Sequence, residues 1–598
     1  MRSTLRRMRR LGCLVAAAAL SACGGSRVAP APVAAVSPAP APAVAPSPAA
    51  IPAAWAHRGR AVVAPHGMVA TDAALATKVG ADTLAAGGNA VDAAVAVAFA
   101  LAVVLPDAGN IGGGGFMVAR VDGKTVALDF RETAPARATH DMFLDEHGKL
   151  RPEASLTGHL AVGVPGSVAG LWAAHRRFGS RSWRDLLAPA IALAEQGFAL
   201  DARTAEGIED ERERLAKFPA SAALFLPGGA PPRVGARWKN PDLAAVLRRI
   251  ADEGPAGFYA GKTADLIVAE MERGHGLVTR ADLARYQAKW REPIEVEYRG
   301  FHIASMPPPS SGGIALAMIA HILEPLELGA WHTPRALHLS VEAMRRAFAA
   351  RNAYLGDPDF MKNPVDELLA RDWADRQRAS IVANRATPSA QISPGVGDSG
   401  AVKKHTTHFS VVDANGNAVA LTTTINIGFG AAVTVAGGGF LLNNEMDDFA
   451  AKPGEKNAFG LVQGEANSVA PGKRMLSSMA PTIVTDAGGD VVLVTGAAGG
   501  PTIITAVWQV ISNVVDYRMD VAAAVAAPRA HHQHLPDVVV VERNGFADDT
   551  LAALRALGHE VKVSPSGPIA DAPSIGRAPG GWTGAAEPRG GGGLAAGY

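Results

Sequence analysis

The chain has only two cysteines in 598 residues, no excess of either charge and few aromatic side chains. Both cysteines, Cys13 and Cys23, sit near the start, so no disulfide framework can staple the rest and the fold has to rest on its core. Lys+Arg 57 against Asp+Glu 56 leaves a net charge of +1, which gives no electrostatic footprint for nucleic acid. The N-terminal apolar run "LGCLVAAAAL" is ten residues, where a spanning helix needs about twenty. No repeat of solenoid period is present. Nucleotide and metal signatures are missing too. "AGFYAGKT" carries Ala256 in place of the first glycine of a phosphate loop, and "GNIGGGG" lacks the lysine. "DANGN" lacks the glutamate of a calcium loop, since position 424 is threonine. "HHQH", residues 531–534, has neither the spacing nor the added ligands of a zinc site. The sequence calls for no cofactor and no metal.

What is present begins with an export signal. "MRSTLRRMRR" is a positive n-region followed by the short apolar run, and "LSAC" at residues 20–23 resembles the lipobox of bacterial lipoproteins. That resemblance implies a signal peptide over 1–22 and lipid on Cys23. The alternative is an ordinary secretory signal cut at an A-x-A-like site. Gly24, rather than aspartate, suggests the outer membrane facing the periplasm, by resemblance to Gram-negative lipoproteins. Residues 23–60 are a Pro/Ala-rich stretch that reads as an extended tether.

The body reads as layered α/β. From residue 66 the pattern gives a short strand, an amphipathic helix, a Gly-Gly-Asn stop and a buried Ala-rich helix. "GGFMVARVDGKTVALDFRE" is a hairpin with Asp-Gly at its turn, and "PTIVTDAGGDVVLVTGAAGG" is another. Residues 155–400 are mostly helical in pattern, strands dominate from 406 to about 450, and "TIITAVWQVISNVVDY" is a helix. Antiparallel hairpins interleaved with helices argue against a βαβ parallel sheet.

The stretch "KKHTTHFSVVDANGNAVALTTTIN", residues 403–426, has the look of a surface hairpin, yet hydroxyls crowd its open end. With "ANG" as a three-residue loop and Gly416 left-handed, Asp413 pairs with Asn417 and Thr406 falls opposite Thr424. With a two-residue "NG" loop the register moves by one, and Thr424 and Asn426 become diagonal neighbours of Thr406. A hydroxyl becomes a useful nucleophile when a base takes its proton, and an N-terminal threonine can use its own α-amine, which titrates at about 7.7–8.0. Here that chemistry requires a cut between His405 and Thr406.

These motifs resemble the γ-glutamyltransferase family, the glutathione hydrolases, from residue 66 to Tyr598. The resemblance implies an N-terminal-nucleophile hydrolase: a four-layer αββα sandwich of antiparallel sheets, made as a proenzyme that cuts itself into a large subunit (61–405) and a small one (406–598), which stay associated as a heterodimer. It implies a γ-glutamyl–threonine acyl-enzyme, formed from glutathione and other γ-glutamyl compounds and passed to water, an amino acid or a dipeptide. "HTTHFSVVD" nominates Thr406 as nucleophile, supported by Thr424. "DFRE" nominates Arg131 for the substrate α-carboxylate, and "KRMLSSM" adds Ser477 and Ser478. "NNEMDDFA" nominates Glu445 and Asp448, with Asn426, for the α-ammonium. "GAAGG" supplies Gly499 and Gly500 as an oxyanion hole. Residues 451–464 resemble the lid loop, with Phe459 where tyrosine is frequent. The chemistry suits the parts: arginine grips carboxylates with two prongs, acids pair with ammonium, and glycine exposes backbone N–H groups. Two alternatives are a glutaryl-type acylase acting on β-lactam side chains, which needs no ammonium site, and a non-enzymatic lipid-tethered binding protein.

Overall fold

The structure, a computed structural model, describes residues 61–151, 153–392, 406–564 and 567–598. Cys13, Cys23, the tether and His405 lie outside the described residues. Among the described residues, no helix is long and apolar enough to cross a membrane.

Two seven-stranded antiparallel sheets face each other. One runs in the order Leu594–Gly597, Met68–Thr71, Thr406–Val412, Ala418–Thr424, Gly114–Val121, Lys124–Asp129, Lys289–Arg291. The other runs Val62–Ala64, Gly581–Ala585, Ser574–Ala578, Val491–Thr495, Thr482–Thr485, Phe301–Ser305, Ile294–Tyr298. Helices Ala74–Ala85, Ala90–Val104 and Ser167–Phe178 cover the first sheet, and Gly312–Leu323, Thr502–Val515 and Val521–Ala526 cover the second. This is the four-layer αββα sandwich that the resemblance implies.

Local chemistry explains the layers. The helix Ala90–Val104 is buried on every side, and its alanines let neighbouring elements approach closely. Asn89 caps it, accepting from Val91 and Asp92 N–H while Asp92 accepts back from Asn89 N–H. Strand alternation then sorts the first sheet. Phe409, Val411, Val419 and Leu421 join the core under those helices, whereas Ala418, Ala420, Phe116 and Val118 join the core between the sheets.

The threonine hairpin has the three-residue-loop register. Asp413 N–H donates to Asn417 O at 3.0 Å, Gly416 has φ 79°, and Thr406 lies opposite Thr424. It is not a surface hairpin, however. Both strands are central in their sheet and every residue in them is buried. Alternating polarity along a strand ordinarily marks a solvated face. Here Thr406, His408 and Ser410 instead turn toward the second sheet, where Ser410 donates to Val494 O and Pro573 O. The expectation of further strands up to 450 also fails. Beyond Thr424 the chain is irregular apart from an isolated bridge between Thr434 and Leu441, and Asn443 splices it to neighbouring loops by donating to Gly112 O and Gly163 O and accepting from Gly163 N–H.

The first and last described strands are woven together. Val62–Ala64 pairs with Gly581–Ala585, and Met68–Thr71 lies between Leu594–Gly597 and Thr406–Val412. Backbone ladders therefore cross repeatedly between the strands before Thr406 and the strands from Thr406 onward.

Candidate active site

One small cleft collects the nominated residues. Arg131, Thr406, Thr424, Asn426, Glu445, Asp448, Phe459, Ser477, Ser478 and Gly500 all line it. Gly499 adjoins through the chain. The sequence had scattered them over 370 positions, from Arg131 to Gly500, and the sandwich brings them to the edge where the hairpin opens.

At the end of the cleft where the hairpin opens, Thr406 Oγ1 lies 3.3 Å from Thr424 Oγ1. Thr424 Oγ1 also accepts from Asn426 N–H at 2.8 Å. Asn426 holds a left-handed φ of 81°, and its side chain donates to Asn444 O. The "GNIGGGG" run is a packing turn. A Cβ on Gly113 would come within 2.2 Å of Thr424 O, and one on Gly112 within 2.1 Å of Leu441 O, so only glycine admits these backbone contacts. Asn110 completes the splice by donating to Thr423 Oγ1 and Thr424 O.

Behind Thr406, Thr407 Oγ1 donates to buried Asp72 at 2.9 Å. Burial, with Asp571 nearby, pushes the Asp72 carboxyl up to about 7. Sequence reading missed Asp72, because nothing local links it to a threonine 335 positions away.

Gly499 and Gly500 occupy φ 143° and 58°. Ala498 and Asp571 exchange backbone hydrogen bonds on one side, and the helix Thr502–Val515 begins on the other. Among the described residues, neither glycine N–H donates a hydrogen bond, which leaves two donors for an anionic oxygen.

The recognition end is charged. Arg131 ion-pairs with Glu445 and with Asp448, and lies 3.7 Å from Glu132. Tyr286 Oη donates to Arg131 O, and Arg131 Nε donates to Met475 O. Burial draws the guanidinium down, but Glu445, Asp448 and Glu132 more than reverse this and hold it above its ordinary value. Burial raises all three acids, Glu132 to about 7, with Arg131 opposing the rise in each. The arginine and the two acids nominated to read opposite charges on a substrate thus touch each other directly.

Ser477 and Ser478 sit where "KRMLSSM" crosses the segment before helix Gly312–Leu323. Ser477 N–H donates to Pro309 O, Ser311 donates back to Ser477 O, and Ser478 Oγ accepts from Arg351. The segment that resembles a lid is an asparagine-nucleated turn in which Asn457 Oδ1 accepts from Phe459 and Leu461 N–H. Asp447 ties it down, accepting from Ala458 N–H and Ser155 Oγ. Phe459 covers Gly500, whose Cβ would meet the ring at 2.8 Å.

The "HHQH" run braces this lid. Gln533 donates to Phe459 O and accepts from His531, which also bonds Thr505. Among the described residues, His338, Glu342 and His559 bring ligand atoms within 4.8 Å of one another, but Arg345 and Arg346 already ion-pair with Glu342. Two guanidiniums there repel a cation.

Known proteins match this geometry. A model described as Gamma-glutamyltranspeptidase matches residues 76–597. The chain is 46% identical over 549 residues to the glutathione hydrolase proenzyme of Pseudomonas sp. (strain A14), covering 90% of this chain and 95% of that one. It is 46% identical over 542 residues to the glutathione hydrolase proenzyme of Escherichia coli (strain K12), covering 90% and 93%. A cephalosporin acylase from Bacillus halodurans superposes with a TM-score of 0.80 at 29% identity, covering 93% of this chain and 99% of that one. With its motifs in order, its hairpin register and its sandwich in place, the chain belongs to the gamma-glutamyltranspeptidase family and is an enzyme.

Proposed function

We propose that this enzyme cleaves the γ-glutamyl amide of glutathione and its conjugates through an ester on Thr406, passing the γ-glutamyl group to water or to an amino acid or dipeptide. The observation that carries this reading is the convergence, in one cleft, of the Thr406–Thr424 hydroxyl pair with a buried Arg131–Glu445–Asp448 cluster.

The chain first cuts itself before Thr406, giving a large piece that runs from the anchored Cys23 through the tether and the body 61–405, and a small piece 406–598, held together by the ladders that cross between them. The freed α-amine then takes the Thr406 proton as Oγ1 attacks the γ-glutamyl carbonyl carbon. Gly499 and Gly500 N–H groups hold the resulting oxyanion. Collapse breaks the C–N bond, and the departing amine takes the proton. Water or an acceptor amine attacks the ester next, the α-amine takes its proton, and the C–Oγ1 bond breaks as that proton returns to Thr406 Oγ1.

Recognition works by exchange of partners. The substrate α-carbon carries one carboxylate and one ammonium. It inserts between Arg131 and the two acids, giving Arg131 and Ser477–Ser478 a carboxylate, and Glu445, Asp448 and Asn426 an ammonium. The zwitterion brings no net charge, and each group it separates from a partner gains a new one, whereas an anion without the ammonium leaves the acids unpaired.

Likeness to a cephalosporin acylase sustains a second reading, a glutaryl-type acylase. A glutaryl group lacks the ammonium and would leave Asp448 displaced from Arg131 without a partner. The test is turnover of a chromogenic γ-glutamyl anilide, with and without glycylglycine, against a glutaryl anilide. Faster γ-glutamyl turnover is expected, and a preference for glutaryl transfers the assignment to the acylase. Lipid on Cys23 completes the proposal, placing the enzyme at the outer membrane facing the periplasm. Cys23→Ser should release the protein from membranes and spare activity. A wild type that is wholly soluble with Cys23 absent or unmodified contradicts the anchor.

A further inference from the structure

A second buried cation at the cleft has no part in that chemistry. Arg351, near the end of helix Pro334–Tyr354, is 1% exposed. The other fully buried arginines, Arg131, Arg345, Arg346 and Arg529, each hold a carboxylate. Arg351 holds none among the described residues. Its four side-chain hydrogen bonds go to neutral acceptors: Ser311 Oγ at 3.0 Å, Asn352 Oδ1 at 3.0 Å, Gln463 Oε1 at 3.1 Å and Ser478 Oγ at 3.2 Å. Burial lowers it to about 10, with Asp448 opposing and Arg131 assisting, so it stays a cation at neutral pH.

A buried charge without a counterion is costly, and its persistence calls for an anion that arrives from outside. Ser478 shows where. A guanidinium has only donors, so Ser478 Oγ must accept from Arg351, and its own proton is left to point elsewhere. Ser478 lines the cleft, and Arg131 is already engaged by two acids. Arg351 is therefore the guanidinium at this end of the cleft that, among the described residues, has no carboxylate in direct contact, with Asp448 acting on it only from a distance.

We propose that Arg351 is a specificity-determining positioning residue for the substrate α-carboxylate: it fixes Ser478 as a donor into the cleft and supplies the countercharge behind it. This rests on Ser477 and Ser478 forming the α-carboxylate site. Arg351 does not touch substrate; it acts through Ser478.

Three anilides separate the parts: γ-glutamyl, with carboxylate and ammonium; glutaryl, with carboxylate only; and 4-aminobutyryl, with ammonium only. Arg351→Gln should lower kcat/KM roughly tenfold or more on the first two, mainly through KM, the usual size of a lost charge-assisted hydrogen bond. On 4-aminobutyryl anilide the change should stay under about threefold, because no carboxylate is there to lose its countercharge. Arg351→Lys keeps the charge and should restore part of the preference for a carboxylate. Should the glutamine variant remain uncut or melt early, the lysine variant decides, with KM raised on the two carboxylate substrates and unchanged on the third. Equal losses on all three substrates, or none on the carboxylate pair, overturn the proposal. A wild type indifferent to the α-carboxylate overturns the reading of Ser477 and Ser478, and this inference with it. A wild type that discriminates, joined to variants that leave its preference intact, overturns this inference alone.

Discussion

The two ends of the cleft are built from opposite materials. At the nucleophile end the working groups are neutral: two hydroxyls 3.3 Å apart on adjacent strands and two glycine N–H groups before a helix. At the recognition end they are charged and buried, with Arg131 among Glu445, Asp448 and Glu132. The neutral end takes its geometry from regular backbone, which fixes distance through register. The charged end takes its geometry from mutual attraction across irregular loops, and burial raises its acids above their ordinary values. Chemistry needs a fixed distance, whereas recognition of a zwitterion needs charges that can exchange partners.

Breaking the charged end should have the largest effect. Arg131→Ala leaves Glu445 and Asp448 buried without their cation, a loss of about 3–5 kcal/mol. We expect kcat/KM on a γ-glutamyl anilide to fall roughly 10²- to 10³-fold, with earlier thermal unfolding, while the Thr406–Thr424 register survives. Calorimetry and steady-state kinetics on the same preparation check both. Sharper discrimination comes from Asp448→Asn. It should reduce γ-glutamyl turnover far more than glutaryl turnover, narrowing a wild-type preference of roughly ten- to hundredfold. An unchanged ratio would mean that Asp448 does not read the ammonium.

The smallest effect tests the buried acids themselves. Burial raises Asp447 to about 7, with its bond from Ser155 opposing. A carboxyl raised in the folded state binds its proton more tightly there than in the unfolded chain. Its contribution is therefore fully present below the unfolded value of about 3.9, falls as pH rises, and is gone above about 7. Asp447→Asn removes that titration and keeps one acceptor for the lid. Its melting temperature should gain on the wild type by a few degrees between pH 5 and pH 8. Parallel melting curves across that range would place the titration elsewhere.

The same contrast explains what was legible in the sequence. Thr406 opposite Thr424 could be counted from the Asp413–Asn417 turn, because antiparallel pairing is arithmetic once the loop is known. Burial of that hairpin could not be counted, since it depends on sheets and helices formed by residues before 130 and after 480. Arg131, Glu445 and Asp448 were nominated through motifs, but their direct pairing spans more than 300 positions and has no local signature. Asp72, Arg351 and the asparagines at 443 and 444 were missed for the same reason. "HHQH" carried a metal-like pattern whose use as a lid brace depends on Phe459, 74 positions earlier than Gln533.

The central claim is that Thr406 is both the cut site and the nucleophile, and intact-mass spectrometry tests it most directly. Purified wild type should give two pieces, the smaller running from Thr406 to Tyr598, and brief mixing with a γ-glutamyl substrate should add one γ-glutamyl group to that piece. Thr406→Ala should remain a single inactive chain. A wild type that is uncut yet fully active, or one that carries its acyl group on the other piece, would contradict the account.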